Sequence, residues 1–169
     1  DRVGRDKFED IIDRHGLKVR RKMRRPRTTD STHGLPLFPN LVRELIPTAV
    51  NQLWVTDITY IPVWIDDTHY VFCYLSLVTD AYSHEIIGWA VGPDLGSAYP
   101  LQALEMAKGR LGEPGGALCG SLIHHSDRGV QYASREYVEA LRDCGIRISM
   151  TENGDCLLYT SPSPRDRQK

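Results

Sequence analysis

Three runs of β-branched and aromatic residues follow one another in the middle of this chain, and they leave few folds open to it. "LWVTDITYIPVW" (53–64), "HYVFCYLSLVTDA" (69–81) and "HEIIGWAVG" (84–92) are separated by only a few polar residues. Such residues fit the pleated, half-buried surface of a strand. Connections this short cannot carry a crossover, so the strands must turn back on one another as an antiparallel meander. After Gly92 the pattern alternates. "SAYPLQALEMAKGRLG" (97–112) sets Leu101, Leu104, Ala107 and Leu111 on one helical face, with Ser97 as its N-cap. "SLIHH" (121–125) is a short buried strand, and "SREYVEALRDCG" (134–145) is a helix capped by Ser134 and closed by Gly145. "IRISM" (146–150) is the last strand. The order β-β-β-α-β-α-β predicts an α/β fold, a mixed five-stranded sheet flanked by helices.

Ahead of the sheet the character changes. "GRDKFEDIIDRHG" (4–16) has Phe8, Ile11, Ile12 and His15 at helical spacing and Gly16 as a stop. "KVRRKMRRPR" (18–27) then packs seven cations into ten residues: Lys18, Arg20, Arg21, Lys22, Arg24, Arg25 and Arg27. Pro26 prevents a helix from running through it. "TTDSTHGLPLFPN" (28–40) reads as a linker, so the basic helical segment and linker occupy 1–50 and the compact domain begins at Asn51. Residues 1–50 carry 12 Lys/Arg against 7 Asp/Glu, and residues 51–169 carry 9 against 15. A basic arm before an acidic body suits a nucleic-acid enzyme whose arm meets phosphates and whose acids hold metal; a solvated charged helix is the alternative. No apolar run approaches the roughly 20 residues of a membrane span. Nothing at the start resembles a signal peptide, and Cys73, Cys119, Cys144 and Cys156 show no Cys-x-x-Cys spacing. A reducing cytosol is the expected compartment.

Two aspartates stand out. Asp57 interrupts an apolar strand that reads as buried on both faces, where a carboxylate is costly unless paired or bound to metal. Asp127 follows the fourth strand in "HHSDRGVQY" (124–132). A mixed sheet can set the first strand beside the fourth and bring the two carboxylates together. Hard oxygen ligands select Mg²⁺ or Mn²⁺, and a pair of such ions suits in-line phosphoryl displacement. The alternatives stay open: Asp57 bonded to Thr56, Thr59 or a backbone amide, and Asp127 serving as an N-cap or Asx-turn. Asp80, at another strand end, reads as a turn residue, and His124 with His125 as packing groups rather than ligands.

Taken together, "NQLWVTDITYIP", "LVTDAYSHEIIGWAV" and "HHSDRGVQYAS" resemble the integrase-type catalytic core of bacterial insertion-sequence transposases. The insertion-sequence-three family of OrfB type, related to retroviral integrases, is the nearest resemblance, and it covers about residues 1–155, basic segment included. It implies a ribonuclease-H-like fold and a site of two aspartates and one glutamate holding two Mg²⁺ or Mn²⁺ ions. The aspartates fall on Asp57 and Asp127. The implied reaction is DNA strand cleavage and strand transfer, water and then a DNA 3′-hydroxyl attacking a phosphodiester. The implied partners are the element ends and target DNA, bound by a homo-oligomer at the nucleoid of a bacterial cytoplasm, with no membrane. The family's glutamate lies about 35 residues after the second aspartate, on a helix, where it completes the oxygen cage; here that position is Pro162. Glu152 and Asp155 are the only nearby carboxylates, and both come early. The resemblance stops at Cys156, so the catalytic core is taken as 51–155 and residues 156–169, with two Ser-Pro steps, as an unstructured tail of foreign sequence. A C-terminally truncated core, inactive as written, is therefore expected. A non-catalytic DNA-binding fragment and another ribonuclease-H-like nuclease acting on RNA are the competing readings.

Overall fold

The computed structural model describes residues 5–15, 34–67, 69–111 and 120–152. Its elements are helix α1 (Arg5–Arg14), strands β1 (Leu53–Trp64), β2 (Tyr70–Asp80) and β3 (Ile86–Gly92), helix α2 (Ala98–Lys108), strand β4 (Ile123–Ser126), helix α3 (Arg135–Asp143) and strand β5 (Arg147–Met150). The five strands form one sheet in the order β3-β2-β1-β4-β5. The meander β1–β2–β3 is antiparallel, while β1/β4 and β4/β5 are parallel. Each parallel step needs a crossover, and α2 and α3 supply them. This is the mixed sheet that the element order predicts and the ribonuclease-H-like arrangement that the resemblance implies.

Side-chain alternation sorts the strands onto two faces. On one face Trp54 and Val78 pack with Leu104 of α2 and with Tyr137 and Leu141 of α3, all fully buried or nearly so. On the other, Leu53 and Ile123 meet Val42. Residues 34–50, placed with the linker from sequence, lie along this body: Phe38 packs on the main core, the Leu41 amide donates to Ser149 Oγ at 2.9 Å and the Met150 amide to Pro39 O at 3.4 Å. The basic arm at 18–27, and everything from 153 onward, lie outside the described residues.

The helix ends show where local chemistry held. Ser134 has extended backbone and its hydroxyl accepts from the Tyr137 amide. At the other end of α3, Gly145 takes φ 66° and donates to Arg142 O, while the Ile146 amide reaches Leu141 O. These are the two bonds of a Schellman closure, and the left-handed residue is a glycine. Ser97 fails as a cap: its backbone is helical and its side chain makes no capping bond. The third helical position there is Pro100, which has no N–H to offer. The buried face of α2 is also turned from the predicted one, carrying Pro100, Ala103, Leu104 and Ala107. Among the described residues Cys73 and Cys144 are free thiols, and no helix is long and apolar enough to cross a membrane.

Candidate active site

The last rung of the β1/β4 ladder pairs Val55 with His125. Two residues further along the chain stand Asp57, still in β1, and Asp127, just past the end of β4. Parallel neighbours lie about 4.8 Å apart, so continuing the register sets the two carboxylate-bearing residues side by side. They line one solvent-open cleft at the end of the sheet, with Tyr60, Gly129, Gln131 and Tyr132 around them.

Asp127 is half-buried in the loop leaving β4. Its Oδ1 accepts the Gly129 amide at 2.8 Å, an Asx-turn, so that alternative reading is met at one oxygen. A Cβ on residue 129 would come within 2.9 Å of that oxygen, so the turn closes this tightly only on glycine. The loop is anchored on both sides: Arg128 Nε donates to Thr151 O at 2.7 Å, and Gln131 Nε2 to Leu95 O at 3.1 Å.

Asp57 departs from expectation. It is exposed, not buried on both faces, and so are Thr59, Ile61 and Val63 beyond it. The exposure belongs to one face: Ile58, Tyr60 and Pro62, which alternate with these residues, stay half-buried on the other. The carboxylate is nonetheless hemmed in by the cleft wall. Burial there pushes its pKa above the ordinary value, the Ile58 amide at 2.8 Å pulls it down, and the charge of Asp127 pushes it up again. A second carboxylate beside Asp57 raises the cost of its charge, and a cation between the two relieves it.

The other candidates fall elsewhere. Asp80 is 2% exposed, and its oxygens accept from the amides of Asn51, Tyr82 and Ser83 and from Ser83 Oγ, so it organises a turn as predicted. His124 and His125 are buried packing groups: His124 Nε2 lies 2.9 Å from Tyr137 Oη, and His125 Nδ1 lies 2.8 Å from Ser149 Oγ. Burial, and for His124 also the neighbouring His125, lowers their pKa values to about 3 and about 4, so both are neutral. Glu152 is hydrogen-bonded by Arg43. Sequence reasoning passed over Gln131 and Tyr132, although both stand in the "HHSDRGVQYAS" motif, a few residues past Asp127. Among the described residues no three His, Cys, Asp or Glu side chains are grouped to hold a metal ion. The two-carboxylate donor set is all oxygen and fits a hard divalent cation, held on one side by protein.

Residues 47–156 match the family model described as the integrase core domain. The chain belongs to the integrase core family. Similar proteins include the insertion element IS600 uncharacterized 31 kDa protein of Shigella sonnei, 36% identical, with 91% of this chain and 53% of that protein covered. The putative transposase for insertion sequence element IS986/IS6110 of Mycobacterium tuberculosis (strain H37Rv) is 36% identical, with 88% and 52% covered. The transposase InsF for insertion sequence IS3A of Escherichia coli K12 is 33% identical, with 85% and 46% covered. This integrase core thus spans about half the length of the curated relatives it matches. The HTLV-2 integrase catalytic core domain, solved in complex with magnesium, overlaps 61% of this chain and 62% of its own at 19% identity and a TM-score of 0.44. The fold assignment rests on the strand order, not on that overlap.

Proposed function

We propose that this integrase core is the catalytic part of an insertion-sequence transposase, cutting and joining DNA, with Asp57 and Asp127 as the carboxylates that hold Mg²⁺ or Mn²⁺. The observation that carries the reading is their shared cleft, two register positions past the last β1/β4 rung. When bound, a pair of such ions supplies Lewis acidity at the attacking and leaving oxygens of an in-line phosphoryl displacement. The chain's own part is positional: the Gly129 and Ile58 amides each fix one oxygen of an aspartate. Element ends and target DNA are the partners on this reading, bound by several copies of the protein in a bacterial cytoplasm, with the Lys18–Arg27 cations meeting phosphates. The site as written lacks its third acid: Glu152 is engaged by Arg43, and Pro162 stands where the glutamate is expected.

Calorimetric titration with Mn²⁺ tests the reading. Asp57→Asn and Asp127→Asn should each weaken binding by more than the roughly 10–100-fold that loss of an outer-shell partner costs. Asp80→Asn should spare it, because Asp80 is already committed to its turn. Equal losses at all three positions would remove the site.

A further inference from the structure

Gln131 is only 6% exposed, yet it lines the cleft with Asp57 and Asp127. A buried amide brings a carbonyl oxygen and two N–H donors into the fold, and each is costly unless something meets it. One end of Gln131 is accounted for. The Leu95 carbonyl can only accept, so the atom 3.1 Å from it is Nε2, and that bond decides which way round the amide sits. Oε1 is therefore the atom turned away from Leu95.

Gly129 shows what Oε1 faces. A Cβ on residue 129 would stand 2.9 Å from Asp127 Oδ1 and 3.0 Å from Gln131 Oε1. The two oxygens thus flank one small space, kept open because residue 129 has no side chain, and Gly129 itself lines the cleft. Among the described residues no hydrogen-bond donor reaches Oε1. Asp57, Asp127 and Gln131 accordingly present acceptors to the opening: two carboxylates and one amide oxygen. Acceptors that converge on one opening suit a cation. An amide carbonyl, like a carboxylate, is a hard ligand of the kind that Mg²⁺ and Mn²⁺ take. Being neutral, it adds an oxygen without adding to the repulsion between the two aspartates.

We propose that Gln131 Oε1 is a third oxygen ligand of the divalent cation held by Asp57 and Asp127. The proposal rests on the reading of these two aspartates as cation ligands. The rival role for Gln131 is a strut, in which only the bond to Leu95 matters. Substitution separates the two. Gln131→Met keeps the length and removes both polar atoms. Gln131→Glu keeps an oxygen for the cleft and loses the N–H that Leu95 O accepts.

The test is calorimetric Mn²⁺ titration of the full 169-residue chain, with circular dichroism at the titration temperature to confirm folding. Gln131→Met should weaken Mn²⁺ binding about tenfold or more, since even an outer-shell group costs that much. Gln131→Glu should bind at least as tightly as the parent, because its oxygen brings a charge. If both variants weaken binding alike, the bond to Leu95 is what counts and the proposal is overturned. Parental affinity in Gln131→Met also overturns it, and where Asp57→Asn still loses binding the two-aspartate reading survives. If Asp57→Asn leaves Mn²⁺ binding intact, or the parent binds no Mn²⁺, the cation reading falls and the third ligand with it. Should either Gln131 variant not fold, the parent decides: its Gln131 side-chain amide signals should shift on Mg²⁺ titration followed by nitrogen–proton NMR, and signals that stay in place would overturn the proposal.

Discussion

Acidification should unfold this domain earlier than its carboxylates alone would require, and the buried histidine pair sets the amount. Burial, reinforced at His124 by His125, holds the two rings at about 3 and about 4 against an ordinary 6.5. Their folded pKa values lie below the unfolded one, so under pH 6.5 the unfolded chain binds more protons. Stability is then complete above pH 6.5 and is lost as pH falls toward the folded values. Between pH 7 and pH 5 the unfolded rings gain about 1.5 pK units of protonation free energy that the folded rings do not, roughly 2 kcal/mol each and about 4 kcal/mol together. Asp57 works the other way: its raised pKa costs stability above the ordinary carboxylate range and returns some of it on acidification. A loss of about 3–4 kcal/mol is large against the 5–15 kcal/mol of a typical domain. Urea unfolding at fixed pH, followed by far-ultraviolet circular dichroism, reads the loss from the midpoint and slope. In His125→Asn the pH dependence should fall to about half, and in the His124→Asn, His125→Asn double variant it should nearly vanish. A parent chain equally stable at pH 7 and pH 5 would refute the neutral, buried assignment of both rings.

Two further outcomes follow from the sequence and the proposed site. The Lys18–Arg27 segment should bind DNA with little sequence preference and a log K against log salt slope of about −4 to −5. Replacing Arg20, Arg21, Arg24 and Arg25 by Ala should flatten it by about 3 to 4 units in a fluorescence-anisotropy salt series, and an unchanged slope would place the binding elsewhere. The chain as written should not nick a DNA end above background. Replacing 156–169 with a family-like segment bearing a helical glutamate should restore metal-dependent nicking, and Asp57→Asn in that repaired chain should abolish it; nicking by the unrepaired chain with Mn²⁺, lost on Asp57→Asn, would show that Glu152 or Asp155 already serves as the third acid.

The fold was legible because its signals are local and repeated. Three β-branched runs with short turns admit little but a meander, and Ser134 with Gly145 bracketed α3 from both ends. The misreadings have equally specific causes. Ser97 looks like Ser134 in isolation, but Pro100 removes the third-residue amide that the Ser134 cap uses, and the Ser97 backbone is itself helical. Asp57 looked buried because the strand around it is apolar, and an unbroken apolar run cannot reveal that one of its two faces is left uncovered from Asp57 onward. The stretch 28–40 reads as a linker because it is polar and carries Pro and Gly, and the compact domain was placed only from Asn51. Phe38 and Val42 nonetheless reach the core, a tertiary contact that composition does not encode.

The pairing of Asp57 with Asp127 has a cause that spacing alone does not contain. The two lie 70 residues apart, and so does every pair in the β1/β4 ladder: Leu53 with Ile123, Trp54 with His124, Val55 with His125. The separation of the carboxylates is the register of the strands. What holds that register is the division of side chains between faces. Leu53 and Ile123 go to the Val42 side, while Trp54 and His124 go to the helix side. A slip of one residue would send Trp54 toward the wrong layer and set Asp57 beside Ser126 or Arg128. The length of the α2 crossover does not enter, because pairing is decided where the strands meet. A ladder of three rungs thus determines whether two acids at the sheet's end stand together. Trp54 and Leu53 are in this sense as necessary to the candidate site as the aspartates that line it.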